Sequence, residues 1–152
     1  MRSLLVMILI SIWVNAQTVD ITSDEMKANQ EKKEISFIGN AKVVQDKSYI
    51  YANKIVVYFS DDNKTKQYDA IDNVHFEFVN ETSHYKGYAN KLTYMPMQEK
   101  YILIGNAKID DLINKRVIKG DKITLDTKSG NASVKGSRKK PVKFIFETES
   151  KK

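Results

Sequence analysis

Two short sequence elements alternate along the chain, and this repeat constrains its fold more than any other feature. The first element, Ile-Gly-Asn-Ala-Lys-Val in its first copy, occupies residues 38–43, 71–76, 104–109 and, in a weaker form, 130–134. Its Asn residues lie 33 positions apart, at Asn40, Asn73 and Asn106. The second element, which opens Ala-Asn-Lys-Ile, lies between these copies at residues 52–58, 89–94 and 120–125. Interleaved elements of this length predict structural units that stack on their neighbours.

Within each element, apolar and polar side chains alternate. Val74, Phe76 and Phe78 alternate with His75 and Glu77, for example. A period of two with β-branched and aromatic residues is typical of strands, and the chain beyond its first sixteen residues has no convincing helical period. We therefore predict one all-β domain of repeated antiparallel strand pairs, arranged as a solenoid-like or jelly-roll stack.

Two glycines fall in the middle of predicted strands rather than in turns. Gly39 and Gly105 occupy the same position in two copies of the first element, where an isolated glycine indicates a bulge or a bend. Asp72 replaces them in the second copy. We therefore expect the bend to be present in the second copy as well and not to depend strictly on glycine.

The predicted interior consists of the apolar residues that share one side of each strand. These candidates are Phe37, Ala41, Val43, Ile55, Val57, Phe59, Val74, Phe76, Phe78, Leu92, Tyr94, Leu103, Ala107, Ile109, Ile123, Leu125, Phe144 and Phe146. The interior mixes small residues, such as Ala107 and Ala132, with large ones such as Phe76. Two interpretations remain open: the ordinary large-against-small packing of a closed core, or an unfilled groove for an apolar ligand.

The first sixteen residues form a segment of their own. Arg2 supplies a positive charge, residues 4–14 are apolar apart from Ser11, and Ala16 ends a Val-Asn-Ala cleavage pattern. An uncleaved membrane anchor needs about 20 apolar residues, and this run is shorter. We predict a cleaved secretory signal peptide at residues 1–16, the β-domain at 17–147 and a flexible tail at 148–152.

Composition limits the chemistry available to the chain. The absence of Cys excludes disulfide scaffolds, zinc ribbons and thiol catalysis. His75 and His84, the only histidines, lack partners at the spacing of a metal site or a catalytic triad, so we predict no metal, no cofactor and no catalysis. The net charge is +6. Predicted export argues against nucleic acid as a partner for the basic run at residues 138–140. We interpret this run as a solvated hairpin turn, with contact to anionic lipid as the alternative.

Several of these segments resemble a known family. The opening at residues 19–24, the strand at 37–43 and the strand at 52–55 resemble the LptA/OstA-like family of periplasmic lipopolysaccharide-transport proteins. This resemblance implies a twisted, semi-open β-jelly roll that holds the acyl chains of lipid A in its interior. It also implies head-to-tail self-association, forming a bridge from an LptC-like inner-membrane protein to an LptD-like outer-membrane translocon.

The resulting leading hypothesis is a non-enzymatic lipopolysaccharide carrier of the periplasm. Candidates for the rim that meets the lipid headgroup occupy equivalent repeat positions: Lys42, Lys54, Lys91, Lys108 and Lys122. The alternative for these lysines is an outward, solvated face that keeps the sheet soluble. The alternative for the whole chain is a structural or interaction β-module of the cell envelope that carries no lipid. A polysaccharide-acting enzyme would need paired carboxylates on one face, whereas the predicted interior is apolar.

One further motif lies in a predicted turn. Asp61-x-Asn63-x-Thr65 matches an extended bacterial N-glycosylation sequon. We therefore expect Asn63 to be sterically accessible to modification in a host that has the enzyme.

Overall fold

Long antiparallel strands and short polar turns account for residues 18–149, the part of the chain that this computed structural model describes. The strands are β1 (Asp20–Thr22), β2 (Glu25–Asn29), β3 (Glu34–Gln45), β4 (Ser48–Phe59), β5 (Thr65–Val79), β6 (His84–Met95), β7 (Lys100–Asp111), β8 (Arg116–Asp126), β9 (Asn131–Lys135) and β10 (Lys143–Phe146). A 3₁₀ turn at Pro96–Gln98 is the only helical element in residues 18–149. No helix in this range has the length and apolar content needed to cross a membrane. The predicted signal peptide, residues 1–16, lies outside the described residues.

The long strands β3 to β8 pair in chain order in one antiparallel sheet. At one end of the sheet β1 and β2 both pair with β3, and at the other end β9 and β10 both pair with β8. The two ends do not pair with each other, so the sheet stays open. The all-β, semi-open architecture is therefore confirmed. Copies of the first sequence element lie on β3, β5, β7 and β9, and copies of the second lie on β4, β6 and β8.

The long strands shift register at the repeated Gly-Asn positions. The shift lies between Ile38 and Ala41 on β3, and it recurs at the equivalent positions of β5 and β7. Two consecutive residues adopt left-handed backbone conformations at each of these shifts: Gly39 and Asn40, Asp72 and Asn73, and Gly105 and Asn106. Gly, Asn and Asp tolerate this conformation better than other residues do. The predicted bend is thus confirmed, including its independence of glycine, while the left-handed conformation of the Asn residues was not anticipated.

Polar side chains of the preceding strands hold the bends in place. The Asp24 backbone N–H donates to the Gly39 carbonyl at 2.9 Å, and Asn40 Nδ2 donates to Asp24 Oδ2 at 3.1 Å. In the next repeat, Asn73 Nδ2 donates to Asn53 Oδ1 at 3.4 Å. These contacts explain why Asp24 and Asn53 precede the first two copies of the first element. Asp24, which lies between β1 and β2, therefore takes the place that Asn53 of the second element takes in the next repeat.

The bends divide the sheet into two layers that enclose one core. The first layer comprises β1, residues 41–52, 74–89 and 107–120, and β10. The second layer comprises β2, residues 34–38, 54–71, 91–104 and 122–126, and β9. Buried side chains from both layers form a single hydrophobic cluster. The inward sides of the layers therefore face each other, as in a jelly roll.

Side-chain size varies systematically across this core. On β3, β4, β6 and β7, the first-layer residues beside the bend are small and buried: Ala41, Ala52, Ala89 and Ala107. The second-layer residues beside the bend on these strands and on β8 are large and buried: Phe37, Ile55, Leu92, Leu103 and Ile123. On β5 the sizes are reversed, with Val74 in the first layer and Ala70 in the second. Small side chains on one layer leave room for large ones on the other, so the core is close-packed near the bend. The large-against-small interpretation therefore describes this part of the interior.

Candidate functional site

Farther from the bend the packing is incomplete, and a cavity of about 260 Å³ separates the two layers. Its first-layer wall comes from the strand ends and turns of β3, β4 and β5. Its second-layer wall consists of three tyrosines. The lining residues are Val19, Val43, Gln45, Asp46, Ser48, Ile50, Tyr68, Phe78, Val79, Asn80, Tyr94 and Tyr101. The interior is therefore not completely filled near the strand ends, and occupation of this space by an apolar ligand stays a prediction.

A row of stacked aromatic rings forms the second-layer wall. Tyr68 stacks on Tyr94 with ring centroids 5.8 Å apart, and Tyr94 stacks on Tyr101 at 4.4 Å. The row then crosses between the layers, since Tyr101 contacts Phe78 at 4.8 Å, and it continues to Phe76 at 4.9 Å. Adjacent strands bring these residues together by register: Tyr68 opposes Tyr94, which opposes Tyr101. The row supplies a large aromatic surface.

Tyr94 and Tyr101 are uncharged at neutral pH because an ordinary phenol titrates at about pH 10. Burial raises the pKa of both hydroxyls further. A neutral aromatic wall imposes no charge on a ligand. The wall is therefore suited to alkyl chains rather than to a charged group.

Polar groups surround the first-layer side of the cavity. Ser48 Oγ accepts from the Val79 backbone N–H at 2.9 Å, which links the β3–β4 turn to the end of β5. Asn80 Oδ1 accepts from the backbone N–H groups of Thr82 and Ser83 at 2.9 and 2.7 Å. These bonds fix the turns while leaving polar atoms at the rim. The site thus has an apolar interior and a polar edge, which is the pattern expected for an amphipathic ligand.

Most of the predicted inward residues belong to the core rather than to the cavity. The buried ones are Phe37, Ala41, Val43, Ile55, Val57, Val74, Phe76, Leu92, Leu103, Ala107, Ile109 and Ile123. Four others are half-buried: Phe59, Phe78, Tyr94 and Leu125. Only Val43, Phe78 and Tyr94 of the predicted set line the cavity. Contact of any of these residues with lipid stays a prediction.

The last inward candidates, Phe144 and Phe146, are 52% and 55% exposed. Their expected burial was wrong. Phe144 does lie on the inward side, because it opposes the half-buried Ile118 on β8. Both rings stay exposed because β10 is the last strand of its layer and no further strand covers it; they stack on each other at 5.3 Å. Ala132, expected in the interior, is exposed on the terminal strand β9 for the same reason.

The predicted rim lysines lie on the outward side of the sheet, flanking the bend. Lys54, Lys91 and Lys122 alternate across the strands with Ile71 and Ile104 in one register row. In the first layer, Lys108 lies over the Tyr88 ring at 5.8 Å and Lys42 over the Tyr49 ring at 5.4 Å. None of the five lysines lines the cavity. Their contact with a headgroup stays a prediction, and it requires the headgroup to reach the outer surface.

Nine of the twelve cavity residues were not among the predicted inward residues, and three of these nine are inward side chains of long strands: Ile50, Tyr68 and Tyr101. Ile50 lies two residues before the second element, and strict alternation from Ala52 would have placed it inward. Tyr68 and Tyr101 share the parity of buried neighbours, Ala70 and Leu103, but tyrosine gives a weak burial signal because it is amphipathic. Alternation extended beyond the repeated elements was the signal that could have found all three.

Both histidines make contacts with side chains of neighbouring strands. His84 Nε2 lies 2.6 Å from Glu77 Oε2 across the β5–β6 hairpin. His75 lies on the outward side and makes an edge contact with the Tyr88 ring at 6.5 Å. Within residues 18–149, no three His, Asp or Glu side chains are grouped so as to hold a metal ion.

Comparison with known proteins identifies the family. The profile of the family described as LptA/(LptD N-terminal domain) LPS transport protein matches residues 20–131. No curated protein sequence matches the chain. The crystal structure of LptH, the LptA-homologous periplasmic component of the lipopolysaccharide transport device of Pseudomonas aeruginosa, is similar with a TM-score of 0.75 and 15% identity, over 87% of this chain and 96% of that chain. At this identity the likeness shows a shared fold. Because the family profile covers most of its length, the chain belongs to the LptA and LptD N-terminal domain family of lipopolysaccharide transport proteins.

Proposed function

We propose that this chain carries lipopolysaccharide through the periplasm with the lipid acyl chains held between its two layers. One observation carries the proposal: a cavity walled by stacked aromatic rings lies between the layers of an open sheet. Membership of a lipopolysaccharide transport family supports it. The polar rim matches a ligand that is apolar at one end and polar at the other.

Acyl-chain burial supplies the binding energy, at about 0.8 kcal/mol for each buried CH₂ group. The cavity of about 260 Å³ is smaller than the usual range for a small-molecule site, roughly 300–1,000 Å³. Several acyl chains therefore require the layers to separate. The Phe78–Tyr101 contact crosses between the layers near the strand ends, so it is the contact that opening would break. The bends keep the layers connected while this happens.

To transfer lipopolysaccharide from the inner to the outer membrane, the chain must be exported to the periplasm and must span the distance between the two membranes. We propose export by the cleaved signal peptide at residues 1–16 and head-to-tail stacking between an LptC-like inner-membrane protein and an LptD-like translocon. The free edges of β1 and β2 lie at one end of the sheet, near the acidic Asp20 and Asp24, while Glu25 on β2 is paired with Lys27 at 3.5 Å. The opposite end, at β9 and β10, carries the basic Lys135 and Lys143. Opposite charges on two open edges favour pairing of one end with the other.

The exposed apolar strand β10 also supports the second candidate, an interaction module that carries no lipid. Its Phe144, Ile145 and Phe146 side chains are 52%, 45% and 55% exposed. An unpaired apolar edge is a docking site for another strand. Both candidates predict self-association, and only the carrier predicts lipid between the layers.

Photo-crosslinking in lipopolysaccharide-producing cells distinguishes the two candidates. A photo-reactive phenylalanine analogue replaces Phe78, in the cavity wall, or Tyr101, in the tyrosine row. His75 provides a matched control, because it lies three residues from Phe78 on the same strand and points outward. We expect lipopolysaccharide adducts at Phe78 and Tyr101 and none at His75.

Absence of lipid adducts at both wall positions, with the chain present in the periplasm, would refute the carrier proposal and leave the interaction module. Equal adducts at His75 would show nonspecific contact and would refute the placement of lipid between the layers. Oligomer mass measured against protein concentration, with and without lipopolysaccharide, tests stacking separately.

A further inference from the structure

The chain contains three Asn-x-Ser/Thr tripeptides, and the structure presents them very differently. They begin at Asn63, Asn80 and Asn131. Such tripeptides are acceptors for N-linked glycans when they lie on the surface of an exported protein. Only Asn63 also has an acidic residue two positions before it, namely Asp61. That acidic residue completes the extended bacterial form of the sequon.

Asn63 lies at the tip of the β4–β5 turn and is exposed. Ser60 holds the turn: its carbonyl accepts from the Asn63 backbone N–H at 2.9 Å, and its backbone N–H donates to the Lys64 carbonyl at 2.8 Å. Asn63 itself adopts a left-handed conformation with φ 61°. Among residues 18–149, its side-chain amide has no hydrogen-bond partner, so Nδ2 is presented to solvent.

The acidic residue of the sequon is also presented. The Asp61 side chain is fully exposed, and its Oδ1 accepts from Lys33 Nζ at 2.7 Å across the neighbouring β2–β3 turn. An Asp carboxylate is charged at neutral pH, and this bond lowers the pKa of Asp61 further below its usual range. An enzyme that recognises a negative charge at this position would meet it on an exposed turn.

The other two tripeptides lack this combination. Asn80 Oδ1 is occupied by three hydrogen bonds within its own turn, and the residue lines the cavity. Asn131 is exposed but begins β9, where it is paired with Asp126, and Ser129 occupies the position of the acidic residue. The three sites therefore provide a comparison within one chain.

We propose that Asn63 is an N-glycosylation site of this protein. The donor is an oligosaccharide linked to a polyprenyl diphosphate. Asn63 Nδ2 attacks the anomeric carbon of the first sugar and forms an N-glycosidic bond, the bond from that carbon to the diphosphate oxygen breaks, and the polyprenyl diphosphate leaves with the electron pair. The amide loses one proton to a base of the transferase. No residue of the β4–β5 turn, residues 60–64, lines the cavity.

This inference rests on the proposed periplasmic location, and its test separates the two. The chain is produced in bacteria that hold a periplasmic oligosaccharyltransferase specific for the extended sequon, together with its lipid-linked donor. One arm keeps residues 1–16, and a second arm replaces them with a proven export leader. We expect one glycan mass on the intact protein and a glycopeptide that contains Asn63.

The Asn63→Gln variant should lose the glycan completely, and Asp61→Ala should lose most of it. Asn80→Gln and Asn131→Gln should keep it at the wild-type level. An unmodified chain recovered from the periplasm in the second arm overturns the proposal, as does a glycan that survives Asn63→Gln. Failure of export in the first arm alone counts against the signal-peptide proposal and leaves the glycan result of the second arm decisive.

Discussion

The bend on β7 offers the sharpest test of how the repeat shapes the sheet. Gly105 has φ 83°, and a Cβ atom built on it would lie 2.5 Å from Asn90 Nδ2 and 2.9 Å from Asn90 Cβ. Gly105→Ala therefore introduces two costs. A left-handed alanine costs about 1–2 kcal/mol, and displacing the Asn90 side chain adds an overpacking cost of about 1–3 kcal/mol. We expect the variant to lower the free energy of unfolding by about 2–5 kcal/mol.

A second background separates these costs. In an Asn90→Gly background the side chain that the new Cβ would meet is absent, so Gly105→Ala should cost only the backbone component of about 1–2 kcal/mol. Asp72→Gly serves as the matched control at the equivalent position of β5, where φ is 66°. It removes left-handed strain but adds chain entropy, so its effect should stay within about 1 kcal/mol.

Urea unfolding of the four variants and the wild type, followed by far-UV circular dichroism, provides the free energies. A Gly105→Ala variant as stable as the wild type would refute the assignment of a strained bend. An equal loss in both backgrounds would show that Asn90 does not restrict this position. Either result would remove the physical reason for the repeated Gly-Asn pairs.

Two further predictions concern the core and its dependence on pH. Phe76 is 1% exposed and stacks on Phe78. Changing Phe76 to Ala should therefore lower the free energy of unfolding, measured with urea, by about 3–5 kcal/mol. A loss below about 1 kcal/mol would contradict the core position of Phe76. Asp111 is 6% exposed and accepts from Arg116 Nη2 at 2.7 Å and from Asn114 Nδ2 at 2.9 Å. Burial alone would raise the pKa of Asp111, but these bonds outweigh it and lower the pKa below its ordinary value. The ionised Asp111 carboxylate therefore contributes its full stabilisation above about pH 4, and this contribution is lost as pH falls through the folded-state pKa. The difference in unfolding free energy between the wild type and Asp111→Asn should therefore become smaller when urea unfolding is repeated at increasingly acidic pH. A difference that does not change with pH would contradict this role.

The architecture was predictable because the two strongest signals agree. Alternation at Val74, Phe76 and Phe78 indicates strands, and the spacing of Asn40, Asn73 and Asn106 places the bends. Both signals arise from local backbone preference and from burial of one side of each strand. These two properties can be inferred from residues that are close together in the sequence. The family resemblance then supplied the semi-open form.

The cavity was less predictable because it depends on how two distant layers meet. Val57 and Tyr94 both lie on the inward side of their strands, yet only Tyr94 lines the cavity. Alternation shows which side a residue occupies, but it does not show whether another strand or an opposing layer covers it. Phe144 demonstrates the same limit at the end of the sheet, where an inward residue stays exposed.

Because the strands pair in chain order, each sequence repeat lengthens the sheet in the direction perpendicular to its strands. Each 33-residue interval adds two strands, and neighbouring strands lie about 4.8 Å apart. One more repeat would therefore extend the space between the layers by about 10 Å without altering its cross-section. The distance that such a sheet spans can therefore increase in two ways: by duplication of a segment within one gene, or by addition of another copy of the protein. The first route lengthens a covalent chain, whereas the second makes the span depend on protein concentration.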